Sequence, residues 1–304
     1  MSVDMKAKIA NCLICGSGKL RNMKGYEKDH LVTCLKCSFA FSNVKPSQEE
    51  LDKVYGGYSR EVGRTETTLQ KMMYLALSLK NLSKAKRVID IGCGDGEFLS
   101  MFKGLGCEVF GTEYDPRTEE ICRNKGITML RGGVMPSLSG LGNPEKFDLV
   151  IFTEVIEHIN NPIDVIENIF HLLKKDGLLY VTTPNFESLE RRVLRAQWGM
   201  ICYPEHISFY SPSTLNSILK RCGFEKVSLR TENISFFRII QFLNRRKFFA
   251  GSNSYRDPEA VAAAASTAVQ NSAVLLSVKK IINTILDITG TGTSLIAVYR
   301  KVGD

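Results

Sequence analysis

The stretch that most constrains this chain is Arg87-Val88-Ile89-Asp90-Ile91-Gly92-Cys93-Gly94-Asp95-Gly96-Glu97-Phe98-Leu99. Val88 to Ile91 is a short apolar run of the kind that fills a buried parallel strand, and Phe98, Leu99, Met101 and Phe102 begin a helix. Three glycines at alternate positions join the two, so the backbone can turn sharply and lie close to a ligand. A glycine-rich strand-to-helix turn points to a nucleotide at the helix N-terminus. The spacing G-x-G-x-G is not the G-x-G-x-x-G of dinucleotide sites, and no Lys-Ser or Lys-Thr follows as in a P-loop. Asp90 and Asp95 add negative charge, which repels a pyrophosphate and suits a ligand bearing ammonium and sulfonium groups. S-adenosylmethionine has those groups.

The stretch closely resembles motif I of class I methyltransferases, and the following residues keep to that pattern. Cys107 to Asp115 resembles the second strand and its terminal acid, with Glu113 placed to accept the ribose hydroxyls. Phe147 to Glu154 resembles the fourth strand, and Lys175 to Asn185 the turn and fifth strand. Such a chain folds as an α/β, doubly wound, Rossmann-like seven-stranded sheet. The resemblance implies cofactor contacts at Asp90, Gly92, Cys93, Gly94, Gly96, Glu113, Tyr114, Gly133, Val134 and Thr153. Where many relatives carry an acid for the adenine amine, this chain has Gly133-Val134-Met135, so backbone and apolar contact are expected instead.

Ahead of this core lie Cys12-Leu13-Ile14-Cys15 and Cys34-Leu35-Lys36-Cys37. Two C-x2-C knuckles at this separation suit a tetrahedral Zn2+ site, closed and therefore structural. A piece this small is expected to draw its folding energy from the metal. With nine cysteines and no apolar leader after Asp4 and Lys6, bound metal and free thiols are expected over disulfides, in a cytoplasmic protein. Cys93, Cys107, Cys122, Cys202 and Cys222 read as small buried hydrophobes. The expected organisation is a zinc ribbon over 1–45, a helical linker and cap over 46–85, and a methyltransferase domain over 86–304. Ser47 and Glu50 form a capping box ahead of a short helix. Tyr55 and Tyr58 flank Gly56-Gly57, and Arg64 to Leu82 makes an amphipathic helix whose apolar set includes Met73. Asn161 and Pro162 open a later helix that Gly177 is expected to end. Ribbon, Pro-Ser-x-Glu-Glu-Leu helix, Tyr pair and core together resemble bacterial methyltransferases encoded with surface-glycan and sugar biosynthesis.

Glu154-Val155-Ile156-Glu157-His158 follows the fourth strand, at the ligand-binding edge of a parallel sheet. Glu157 and His158 either just start the next helix or do chemistry. His158 or His206 is the candidate general base for a hydroxyl acceptor. Alternatively Glu154, Glu157, His158 and His206 hold a divalent ion such as Mg2+ or Mn2+. That constellation resembles the small-RNA 3′-end methyltransferases and the ubiquinone-pathway O-methyltransferases. The loop Trp198 to Tyr210 suits a sugar or aromatic acceptor, with core packing as the alternative.

Between strands expected at Glu225–Arg230 and Thr293–Val302 lies a helical insertion at about 233–290, apolar at Phe236, Ile240, Leu275, Val278, Ile282 and Ile285. It serves core packing, dimerisation, an acceptor lid or a peripheral membrane foot. No segment is long and apolar enough to span a membrane. The formal charge of +8 permits an anionic partner. The expected activity is O-methylation of a sugar or glycan precursor, small or lipid-linked. The alternatives are an RNA 3′-end or quinone-type hydroxyl, and a non-catalytic binding module. Nucleic acid is the less favoured partner.

Overall fold

The computed structural model describes residues 8–55, 64–131, 133–135, 146–245 and 273–303. Its main sheet has seven strands: β4 (Arg87–Ile91), β5 (Glu108–Thr112), β6 (Thr128–Met129), β7 (Phe147–Thr153), β8 (Leu173–Pro184), β10 (Phe224–Glu232) and β11 (Ser294–Lys301). The order is β10-β11-β8-β7-β4-β5-β6. β6, β5, β4, β7 and β8 run parallel, and β11 joins β8 and β10 antiparallel. Chain order reverses between β4 and β7, so a crevice opens beyond their C-terminal ends.

Helices cover both faces because the central strands are apolar on both sides. On one face α2 (Glu66–Ser83), α3 (Glu97–Gly104) and α4 (Pro116–Asn124) bring Ala76, Leu79, Phe102 and Cys122 against Val88 and Leu149. On the other, α5 (Pro162–Leu172) and α7 (Pro212–Arg221) bury Ile166, Ile169, Leu215 and Ile218 against Ile89 and Val181. Ser211 and Thr214 form a full capping box on α7, and Ser47 with Glu50 caps α1 (Gln48–Tyr55).

The N-terminal unit is a small antiparallel sheet of β1 (Leu20–Asn22), β2 (Leu31–Cys34) and β3 (Ala40–Ser42), to which β9 (Ser208–Phe209) adds a fourth strand. Its apolar residues do not stand alone as expected. Ile14, Val32, Phe39 and Phe41 lie in the same continuous core as Ile91, Phe152 and Tyr210, so burial supports the ribbon alongside any metal.

Several local expectations are corrected. Gly177 does not end α5; β8 already begins at Leu173, and a Cβ at Gly177 would lie 2.9 Å from the Lys174 carbonyl and 3.2 Å from that of Phe147. Asn161 sits at the cap position without accepting a cap bond. Met73 is exposed on α2. Trp198 and Tyr210 are fully buried, which removes both from any acceptor platform. Trp198 packs with Tyr26, Leu31, Phe186 and Phe209. In the insertion, α8 (Phe236–Arg245) and α9 (Ala273–Thr289) are present, and the buried residue near the end of α9 is Leu286, while Ile285 and Ile288 are exposed. Tyr58, Gly56-Gly57, the helix start expected at Asp257 and the side chains of Leu275 and Val278 lie outside the described residues. No helix among those described is long and apolar enough to cross a membrane.

Candidate functional site

Two groups of side chains meet at the crevice. The first is the β4–α3 turn, where Gly92, Gly94 and Gly96 all have positive φ. Their roles differ. A Cβ on Gly92 would come 2.7 Å from Val155 Cγ2, and one on Gly96 would come 2.4 Å from Ile127 Cδ1. At Gly94 a Cβ would face open space, so its positive φ, not a neighbouring side chain, is what calls for glycine there.

The acids of this turn also separate. Both carboxylate oxygens of Asp95 bind the Arg64 guanidinium, and the Glu97 N–H adds to them. Asp95 is therefore a structural partner, contrary to its expected charge role. Asp90 is 3% exposed, and its Oδ1 has no hydrogen-bond partner. Burial, with Glu113 nearby, pushes its carboxyl up to about 8. Glu113 accepts the Gly94 N–H at 2.8 Å and the Tyr114 N–H at 2.8 Å, retaining acceptor capacity on both oxygens. Tyr114 is exposed, and its hydroxyl donates to Asp52 and accepts from Gln48, a contact with α1 that sequence reading missed. Cys93 is buried beside the turn, Gly133 and Val134 follow β6, and Thr153 ends β7. The orphaned buried oxygen of Asp90, the open space at Gly94 and the acceptors of Glu113 fit a ligand with a cationic amine and a ribose.

A proton balance follows. A cation beside Asp90 favours its ionised form, so binding should release the proton held below about pH 8. Affinity for S-adenosylmethionine is then expected to rise with pH, by up to about tenfold per unit, and to level off above pH 8. Titration calorimetry in two buffers of different ionisation enthalpy reads the released proton directly. A signal independent of buffer at pH 7 would refute the pairing.

The second group starts where β7 ends. Glu154 has φ +52, a left-handed conformation that costs a non-glycine residue about 1–2 kcal/mol. Its N–H bonds to the Thr182 carbonyl and its carboxylate accepts from Thr182 Oγ1 at 2.7 Å. The 3-10 turn Ile156–His158 then places Glu157 inside, 2% exposed and accepting from Thr183 Oγ1 at 2.9 Å. Burial and the adjacent Glu154 raise the Glu157 carboxyl well above its usual range.

His206 arrives from the β8–α7 connection. The rings of His158 and His206 lie edge to face, 4.7 Å between centroids. His206 Nδ1 is 2.8 Å from the Met200 carbonyl, and His158 Nδ1 is 2.8 Å from that of Glu205. A carbonyl only accepts, so each ring donates from Nδ1 in these two bonds. His158 Nε2 lies 4.0 Å from Glu157 Oε1, and burial with the neighbouring His206 pushes its pKa down to about 4. One ligand atom from each of Glu157, His158 and His206 falls within 4.8 Å of the others. The structure thus brings together Glu157, His158 and His206, with Glu154 outside that group and three residues before Glu157 in the chain. Cys202, expected as a small buried hydrophobe, is instead half-buried and groups with Glu205 and His206, a proximity visible in the spacing Cys202-x-x-Glu205-His206.

At the N-terminus Cys12 and Cys37 Sγ are 3.5 Å apart, as are those of Cys15 and Cys34, and all four lie within 4.8 Å of one another. Four sulfurs held about 2.3 Å from one zinc ion would lie roughly 3.8 Å apart, so the cluster fits a zinc ribbon.

Residues 65–229 match a family model described as a methyltransferase domain. The ubiquinone biosynthesis O-methyltransferase of Cereibacter sphaeroides is 30% identical over 152 residues, covering 46% of this chain and 61% of that protein. The mitochondrial ubiquinone biosynthesis O-methyltransferase of Schizosaccharomyces pombe is 27% identical, covering 50% of this chain and 56% of that one. The chain thus spans under two thirds of the length of these relatives. The crystal structure of the (4+2)-cyclase SpnF superposes with a TM-score of 0.50 at 18% identity, over 85% of this chain and 98% of that one, a likeness of fold.

Proposed function

The chain belongs to the methyltransferase domain family, and from that premise we propose that it methylates a hydroxyl on an aromatic, quinone-type acceptor, using S-adenosylmethionine and a divalent cation. The observation that carries the reading is the convergence of Glu157, His158 and His206, with Glu154 beside them, next to the Gly92 turn.

S-adenosylmethionine, when bound, supplies a methyl already activated by its sulfonium, so the protein has only to align, exclude water and manage a proton. Asp90 balances the donor's charge, Glu113 takes the ribose hydroxyls, and Gly94 lets the turn take its positive φ. A divalent ion supplies Lewis acidity toward a hydroxyl oxygen. Glu154, Glu157, His158 and His206 would hold it, a mix of hard and borderline ligands suited to Mg2+, Mn2+ or a related ion. Thr182 and Thr183 orient the two carboxylates, and the Met200 and Glu205 carbonyls orient the imidazoles, as outer partners do at metal centres. The ribbon cysteines would carry a structural Zn2+ with no position left for chemistry.

The quinone-type acceptor is favoured over the sugar or glycan because the matched relatives are named for ubiquinone biosynthesis. Assay with S-adenosylmethionine and Mn2+ against a catechol-type prenylphenol and a nucleotide sugar separates the two by mass spectrometry. The prenylphenol is expected to gain one methyl group on oxygen. Methylation of the sugar alone would overturn the reading.

A further inference from the structure

The loop that carries His206 is a strand with two partners. On one side Ser42 donates its N–H to the Ile207 carbonyl at 2.8 Å, and β3 pairs with β9 through Phe41 with Ser208 and Ala40 with Phe209. On the other side Ile207 donates its own N–H to the Glu157 carbonyl at 2.9 Å, and Ser208 Oγ donates to the Ile159 carbonyl at 2.9 Å. A single residue, Ile207, therefore bonds the ribbon's edge to the turn that bears Glu157 and His158. The ribbon holds the loop again at Tyr203, whose N–H reaches Asp29 Oδ1 at 3.3 Å and whose ring meets His30 edge to face at 5.0 Å. Asp29 is fixed in turn by Ser42 Oγ, which bonds its carbonyl. Beneath these bonds Tyr26 and Leu31 of the ribbon share one apolar cluster with Trp198, Ile201 and Phe209 of the loop.

We propose that the cysteine ribbon is a positioning element of the active site: filled with metal, it fixes the strand that sets His206 against Glu157 and His158. The inference rests on reading those three residues as the divalent site. The reach is short and stiff. Cys34 ends β2, β2 pairs with β3, and β3 pairs with the loop, so a ribbon that loosens at its sulfurs releases the edge against which the loop is built. The S-adenosylmethionine turn, at the end of β4, has no strand in common with the ribbon sheet. Donor binding and divalent binding should therefore respond differently to the ribbon.

The test uses the full chain in two variants. Cys34→Ser removes one ribbon ligand. Asp29→Ala leaves all four cysteines and removes the acceptor for Tyr203. Both are compared with wild type for zinc content, S-adenosylhomocysteine affinity by calorimetry, Mn2+ affinity by electron paramagnetic resonance, and the histidine ring signals by NMR. With four histidines in the chain, the His206 signal is assigned by single replacement.

Cys34→Ser is expected to lose zinc, keep S-adenosylhomocysteine affinity within about twofold, weaken Mn2+ by about tenfold to a hundredfold, and shift or broaden the His206 signal. Asp29→Ala is expected to keep zinc and show the smaller, same-direction change in Mn2+ affinity and in His206. Wild-type Mn2+ affinity and an unmoved His206 signal in zinc-free Cys34→Ser would overturn the proposal. So would equal loss of S-adenosylhomocysteine and Mn2+ in both variants, since the ribbon would then be a general staple. If Cys34→Ser does not fold, Asp29→Ala decides alone by the same readouts. If wild type binds no Mn2+, the divalent reading fails by itself, and the His206 signal still decides whether the ribbon positions the loop.

Discussion

Replacing His206 by alanine is expected to strip the protein of its tightly held Mn2+ and to cut methyl transfer by about 10²–10⁴, the several kcal/mol a Lewis-acid ion contributes. His158→Ala, Glu157→Gln and Glu154→Gln should fall with it, because ligands of one ion act as a unit. The general-base alternative gives a different pattern. One histidine would then matter, its loss would be partly recovered at high pH, and the glutamine variants would retain most activity. Mn2+ resonance separates the two without disturbing the ribbon, since manganese favours carboxylate and imidazole over thiolate. Truncating residues 1–45 to remove the cysteines would not serve. It would take Tyr26, Leu31 and Ala40 out of the cluster that buries Trp198. Full Mn2+ retention in His206→Ala would end the divalent reading.

The second large effect concerns the donor. Gly94→Val is expected to weaken S-adenosylhomocysteine binding by more than a hundredfold. Its side chain would enter the open space at the turn, where the donor is proposed to bind, and φ +54 adds strain of about 1–2 kcal/mol. Glu113→Ala should cost about tenfold to a hundredfold, the worth of hydrogen bonds to a charged group. Gly96→Ala is the control. Its Cβ would press on Ile127 and Cys122, so its effect belongs in the melting temperature before the affinity. Calorimetric titration that shows unchanged affinity in both Gly94→Val and Glu113→Ala would sink the donor assignment.

What could be read from the chain divides along the reach of the interactions. Motif I, Glu113 and the capping box of Ser47 with Glu50 are local: a strand, a turn and a helix start within a few residues each, with glycine and serine marking the joints. The approach of His206 to Glu157 and His158 was legible because both segments follow parallel strands and so reach the same edge. What stayed hidden depends on distant partners. Asp95 looked like a ligand charge until Arg64 took both its oxygens. Trp198 could have been a platform for a sugar or aromatic acceptor or a core residue, and the ribbon closes over it. Gly177 looked like a helix stop, but it is small because two carbonyls crowd its place in β8.

The pairing of β3 with β9 also sets an order of assembly. Residue 42 leaves the ribosome long before residue 207, roughly ten to thirty seconds earlier at usual synthesis rates. For that interval the outer edge of β3 has no strand to bond, and the apolar side chains of Tyr26 and Leu31 have no cover. An open strand edge of this kind invites pairing with other chains. Metal captured early by the four thiols would hold the three-stranded piece together through the wait. The nascent chain's need for zinc would then come roughly ten to fifty seconds before the finished chain's need for methyl donor, and scarcity of the metal would register first as lost yield.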